Sequence, residues 1–456
     1  MQTRGGVARS SDEVSVMEME QRGYIIWSWM YINSKEKKEE EYIDMTKPFP
    51  ISKELVWEAY RQVKANKGVA GIDQESIDQF ELNLKDNLYK IWNRMASGSY
   101  FPPPVKAVLI PKKSGGTRTL GVPTVSDRIA QTVAKSVLEP ELEKVFHDDS
   151  YGYRPGKSAH DAIEVTRKRC WQYPWIVEFD IKGLFDNINH QLLMKALRKH
   201  CYIEWLLLYI TRWLKVSIVM PEGELREREK GTPQGGVISP LLANLFLHYV
   251  FDKWVERELP GIPFCRYADD GLLHCSSLKQ AEKILSMLKQ RFKEVGLEIH
   301  PDKSHIVYCK HAKRHVKFNK TTFTFLGFDF CPRESKNSKG ERYLNFSTGA
   351  SKEAIKDMKA QIRRWNLPLR NEWSISEIAK YINPVLKGWY QYYGRFYKTA
   401  LKWVWRNLNH YLCRWVMRKY KRYNRHKAKA SSYLARIAIA NRGLFFHWKL
   451  GYVLTV

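Results

Sequence analysis

The chain has 456 residues, enough for roughly three packed units at the usual domain size. Hydrophobic residues at 44% and aromatics at 13% can fill a sizeable core, which excludes a fully disordered chain. Lys and Arg number 76 against 48 Asp and Glu, a net charge of +28, and so large a surplus points to a polyanionic partner, nucleic acid before membrane.

In chain order, residues 1–50 read as a poorly specified extension: the first 47 hold 9 acids and 7 bases, with the run KEKKEEE from Lys35 to Glu41, and Pro48 and Pro50 close it. Its most apolar segment, Gly23 to Ile32, is too short to span a bilayer, and acids at Asp12, Glu13, Glu18 and Glu20 precede it, unlike a signal peptide. The expectation is a cytoplasmic protein with no membrane partner. SKELVWEAYRQVKANKG then predicts an amphipathic helix capped by Ser52 and ended by Gly68. Seven scattered cysteines (Cys170, Cys201, Cys265, Cys275, Cys309, Cys331, Cys413) without a CxxC pair are expected to be buried thiols rather than disulfides or zinc ligands.

The chemical signal starts at WIVEFDIKGLFDNI (Trp175 to Ile188). Its alternation predicts a strand ending at Asp180, followed by turn-prone Lys182 and Gly183. Later, in FCRYADDGLLHC (Phe264 to Cys275), Asp269 and Asp270 sit between apolar segments, as in the tight turn of a β-hairpin. Adjacent acids at a turn are ordinarily solvated, but Tyr267, Ala268, Gly271, Leu272 and Leu273 frame this pair with apolar groups. Buried carboxylates need cations or they neutralise. Two oxygen-ligated divalent ions roughly 4 Å apart meet that need and suit nucleotidyl transfer to a 3′-hydroxyl.

Residues 350–456 carry 23 Lys plus Arg against 4 Asp plus Glu, so +19 of the surplus lies in the last quarter, interleaved with 20 aromatics. Base stacking and phosphate contact use both residue types. A helical domain with an aromatic core and a solubilising surface would show them too, and Trp403, Leu408, Tyr411, Leu412 and Trp415 fall near helical spacing.

YADD, Tyr267 to Asp270, matches the YxDD signature of reverse transcriptases, and EFDIKGLFDNINH (Glu178 to His190) resembles the first acidic motif of the group II intron members. The blocks LIPKKSGGTRTLGVPTVSDRIAQ (from Leu109), SYGYRPGKSAHDAI (from Ser150), GTPQGGVISPLLANLFLHYVFD (from Gly231), GLEIHPDKS (from Gly296) and FTFLGF (from Phe323) resemble that family's in order, across about residues 52 to 335. INPVLKGWYQYYGRF (Ile382 to Phe396) resembles the thumb-like X domain of group II intron maturases. The resemblance implies an α+β right-hand polymerase, with fingers and an antiparallel palm sheet over 51–335 and an all-α thumb/X maturase domain over 350–456.

It also implies Asp180, Asp269 and Asp270 as catalytic, metal-binding acids, with the Ile181 carbonyl as a further ligand to two Mg²⁺ ions, for which Mn²⁺ could substitute. Lys112 and Arg118 stand where the family contacts the triphosphate, Gln234 where it meets nucleotide and template, and Lys303 near the departing pyrophosphate. Phe185 stands where a ring excludes the 2′-hydroxyl; each of these also has a plainer reading as core, turn or solvated surface. The RNA-contact expectation falls on Lys387, Trp389, Tyr392, Arg395, Lys398 and Lys402.

The implied function is RNA-directed DNA synthesis joined to maturase assistance of intron splicing and support of mobility. The implied partners are intron RNA, an RNA template with a DNA primer, deoxynucleotides, and target DNA reached through the ribonucleoprotein. Longer family members continue into an HNH endonuclease; this sequence shows no such cluster before Val456, so second-strand cleavage is not expected of it. Two other readings stay open: a splicing factor with a decayed polymerase, against which the intact acids argue, and a reverse transcriptase working away from introns, against which the tail argues.

Overall fold

The computed structural model describes residues 47–112, 115–336 and 339–454, so the extension expected over 1–50 lies almost wholly outside the described residues. Eleven strands are found among them: β1 (Val105–Pro111), β2 (Thr117–Val122), β3 (Trp175–Asp180), β4 (Ile218–Val219), β5 (Leu225–Arg226), β6 (Phe264–Tyr267), β7 (Asp270–Cys275), β8 (His305–Tyr308), β9 (Phe323–Phe325), β10 (Phe328–Lys336) and β11 (Arg342–Ala350). The described residues divide into two compact units, one within Met1–Leu138, Cys201–Glu229 and Pro233–Ile238, the other within Glu139–His200, Lys230–Thr232 and Ser239–Val456.

In the first unit, helix Lys53–Ala65 starts where Ser52 accepts a hydrogen bond from the Leu55 N–H. It ends at Asn66, two residues before the expected Gly68. The sheet runs β2-β1-β4-β5, and β1 and β2 form a hairpin registered from Lys106↔Val122 to Pro111↔Thr117. In the same unit Asp127 is fully buried and accepts from Tyr100 Oη (2.9 Å), Trp213 Nε1 (2.8 Å) and Gln131 Nε2 (2.9 Å). Burial raises its carboxyl to about 6 against these three bonds.

The second unit contains an antiparallel sheet of order β6-β7-β3-β8 and a three-stranded sheet of order β11-β10-β9. Helix Ala159–Gln172, opened by a reciprocal Ser158/Asp161 capping box, packs with β6. The β10–β11 hairpin fills the stretch between the two expected domains, with nine residue pairs from Phe328↔Ala350 to Lys336↔Arg342. Along the outer edge of β11 the Leu344 carbonyl accepts from the Ala312 N–H (2.9 Å) and the Phe346 carbonyl from Trp171 Nε1 (2.8 Å). From Lys352 onward the described chain is helical, with Trp405, Trp415 and Trp448 fully buried in its own core. No helix among the described residues is long and apolar enough to cross a membrane. All seven cysteines are free thiols, six of them buried.

Candidate active site and nucleic-acid surface

The palm-type sheet brings the three acids together. β3 and β7 pair antiparallel so that Asp180 lies opposite Asp270, and β6 closes onto β7 with Tyr267 opposite Asp270. Ala268 and Asp269 are therefore the two residues of the hairpin turn. Ala268 has φ +57°, the region where two-residue turns ordinarily place glycine and where another residue costs roughly 1–3 kcal/mol. Gly271, paired with Phe179, has no room for a side chain: a Cβ there would stand 2.2 Å from the Phe179 ring, which packs on Phe251 and Phe292 beneath the sheet.

Asp180 is buried, its N–H donates to Ser304 Oγ (3.3 Å), and its carboxylate is ion-paired with Lys303. That contact, chiefly the hydrogen bond Lys303 donates, raises the lysine's pKa. Asp270 opens to solvent at the cleft mouth but is hemmed in by protein elsewhere; this desolvation, then the charges of Asp269 and Asp180, push its carboxyl up to about 7 despite Lys303. Glu178, two residues before Asp180 on the same face of β3, is also raised to about 7 by burial, with Lys320 opposing. The sequence reading missed Glu178, although the period of two along β3 placed it beside Asp180. Asp180, Asp270, Glu178, Lys303, Lys320 and β9 share the walls of a cavity of about 350 Å³.

Among the described residues no three His, Cys, Asp or Glu side chains converge closely enough to ligate one ion as they stand. The donor set still fits a hard divalent cation: the acids are carboxylates, their crowding raises Asp270, and the Lys303 ammonium already supplies positive charge to Asp180. Ile181, expected to lend its carbonyl, is buried and bridges Ile299.

The nucleotide candidates fall in both units. Phe185 and Lys303 belong with the acids; Lys112, Arg118 and Gln234 belong to the first unit. Phe185 is 7% exposed and its carbonyl accepts from the Thr232 N–H (2.7 Å). Lys112 is exposed at the end of β1, and Arg118 on β2 donates to Gln234 Oε1. The Gln234 carbonyl in turn accepts from the Gly121 N–H (2.7 Å).

The RNA candidates separate into two groups. Lys387, Lys398 and Lys402 are exposed, and Arg395 lies 3.6 Å from Glu164. Trp389 instead stacks on Trp365 (5.7 Å, 17°) against the helical core. Tyr392 is an internal strut: its hydroxyl donates to the Leu326 carbonyl (3.0 Å) in the turn between β9 and β10, and its own carbonyl meets His160 Nε2 (2.8 Å). Lys402 opens a longer basic face on helix Lys402–Lys419, where Lys402, Arg406, His410, Arg414 and Arg418 recur every fourth residue and are all exposed; of these only Lys402 was named from sequence. Arg406 lies over Trp403 (5.0 Å) and Arg414 over Tyr411 (5.5 Å).

The family described as reverse transcriptase (RNA-dependent DNA polymerase) matches residues 110–330, and the group II intron maturase-specific domain matches residues 355–433. The group II intron-encoded protein LtrA of Lactococcus lactis subsp. cremoris is 34% identical over 238 residues, which is 50% of this chain and 39% of the relative, so the chain spans about two fifths of that protein's length. Protein YkfC of Escherichia coli (strain K12) is 33% identical over 270 residues, 51% of this chain and 70% of its own length. Among solved structures, telomerase from Candida albicans with a fragment of telomeric RNA aligns with 83% of this chain and 68% of that one, at TM-score 0.43 and 13% identity. With the palm-type sheet carrying its three acids and the helical domain matched beside it, the chain belongs to the group II intron-encoded reverse transcriptases that carry a maturase-specific domain.

Proposed function

We propose that this protein is an RNA-directed DNA polymerase that also binds group II intron RNA and assists its splicing and mobility. Fingers and palm would occupy 51–335 and thumb 350–456. The observation that carries the reading is the register that sets Asp180 opposite Asp270, with Asp269 one residue away in the turn. Divalent cations, Mg²⁺ by expectation, would lower the pKa of a primer 3′-hydroxyl and offset charge on the leaving pyrophosphate. Asp180, Asp269 and Asp270 would hold them, with Lys303 released from Asp180 toward the phosphates. Phe185 would exclude the 2′-hydroxyl of a ribonucleotide, and Lys112, Arg118 and Gln234 would hold the incoming deoxynucleotide on template. Lys402, Arg406, Arg414 and Arg418 of helix Lys402–Lys419, with Lys387, Lys398 and Arg395, supply the phosphate contacts to intron RNA.

Primer extension on an RNA template tests this. Asp269→Ala with Asp270→Ala is expected to abolish synthesis while intron splicing largely survives, and chelating the divalent ion is expected to stop the parent protein reversibly. Undiminished extension by the double variant would sink the assignment.

A further inference from the structure

We propose that Arg266 is a positioning residue for nucleotidyl transfer: its buried guanidinium holds the Tyr267–Asp270 turn in the backbone conformation that presents Asp269 and Asp270 together. The proposal rests on the reading of those two acids above.

Arg266 lies on β6 immediately before the turn and is 0% exposed. Its Nε and Nη2 each donate to one oxygen of Asp252, both at 2.7 Å, and Asp252 is likewise 0% exposed. The remaining prong, Nη1, donates to Asn244 Oδ1 (3.1 Å) and to the carbonyl of Ala268 (3.2 Å), the residue at positive φ. Asn244 Nδ2 donates to the Gly152 carbonyl (2.6 Å), and Gly152 lies so flat against the turn that a Cβ on it would stand 2.4 Å from the Ala268 nitrogen. The backbone of Arg266 is fixed as well, its N–H donating to the Asp149 carbonyl (2.9 Å) and its carbonyl accepting from the Tyr151 N–H (2.8 Å).

Three segments distant in sequence thus converge on one strained peptide. Asp252 reaches the guanidinium from the last residue of a π-helical turn, His248–Asp252, inserted between helices Ser239–Leu247 and Lys253–Glu258. Such turns recur at functional sites. Burial favours protonation of Asp252, but the Arg266 charge and hydrogen bonds, with His248, hold its pKa below the usual carboxylate value, so the pair is ionised. A buried ion pair contributes little net stability compared with an apolar pair of equal volume, so stability does not account for this one. What only the forked guanidinium provides is directed donors: two to Asp252, and one to the carbonyl of a residue that backbone sterics push out of its observed conformation.

The test separates positioning from support of the fold. In Arg266→Met with Asp252→Leu, which removes both buried charges together but also the donor to Asn244 Oδ1 and the Ala268 carbonyl, the protein is expected to fold with a somewhat lowered melting temperature, and template–primer affinity and the KM for deoxynucleotide to stay at parent values. The kcat is expected to fall about a hundredfold, the scale of a misplacement of an ångström. Calorimetric Mn²⁺ binding without substrate should weaken in parallel. Adding Ala268→Gly should recover part of the kcat, because glycine adopts positive φ without being held there. Parent-level kcat and Mn²⁺ binding in the double variant overturn the proposal. If that variant does not fold, Arg266→Lys, which keeps the charge and gives up the fork, must lose kcat at unchanged KM; full kcat in it overturns the proposal equally. Absence of extension by the parent protein would instead sink the polymerase reading.

Discussion

His274 is a residue whose chemistry runs against its surroundings. It is fully buried on β7 opposite Ile176, and among the described residues neither ring nitrogen finds a hydrogen-bond partner. Burial, with the nearby charge of Arg169, pushes its pKa down to about 3. The folded protein therefore refuses a proton that the unfolded chain accepts near pH 6.5, so the stability contributed by this site is complete above pH 6.5 and is lost progressively as pH falls toward 3. His447, lowered to about 3 by burial in the helical core, acts with the same sign. For His274→Leu, thermal denaturation at pH 7 should show no loss, because unsatisfied polar atoms are removed. Near pH 5 the variant should exceed the parent by roughly 2 kcal/mol. A variant as acid-sensitive as the parent would contradict this.

At the scale of elements, the Tyr392 strut ties the last turn of helix Ile375–Tyr393 to the β9–β10 turn, where Leu326 and Gly327 both have positive φ. Because its hydroxyl is engaged inside the protein, Tyr392→Phe is expected to leave RNA affinity unchanged and to lower stability by about 1 kcal/mol, one hydrogen bond. Filter binding and denaturant unfolding check this; weaker RNA binding would return Tyr392 to the RNA surface. The same strut marks where sequence reading stops. β3 and the helix from Ser52 were legible, because strand alternation and a capping residue are local signals. The hairpin was legible from adjacent acids in an apolar frame, although its two turn residues are Ala268 and Asp269 and Asp270 already belongs to β7. The β10–β11 hairpin was not foreseen, nor the pairing of Arg266 with Asp252, which needs the π-helical turn to set its direction. In the basic tail, composition announced aromatics and cations but not which face each would take. Trp389 and Tyr392 pack inward, whereas Trp403, whose helical spacing also allowed a place in the core, is 59% exposed.

Over the whole molecule, charge is distributed by task. The last quarter carries +19 of the +28, and Asp180 and Asp270, two of the three acids expected to perform the chemistry, line a cleft that also contains Lys303 and Lys320. RNA affinity should fall steeply with added salt as counterions are released. Arg406→Gln with Arg414→Gln should flatten the log–log salt slope by about 1 to 2, with polymerization on a short template–primer measured alongside as a control. An unchanged slope would remove those two arginines from the RNA surface.

The covered edge of β11 has a consequence for the protein in a crowded cell. A long two-stranded ribbon offers a row of unused backbone groups, which is a template for strand exchange between copies. Here Trp171 and Ala312 occupy the Phe346 and Leu344 carbonyls, and the strand starts at the charged Arg342. One indole N–H thus acts as a guard against self-association, and its loss would show first as turbidity on storage rather than as lost catalysis.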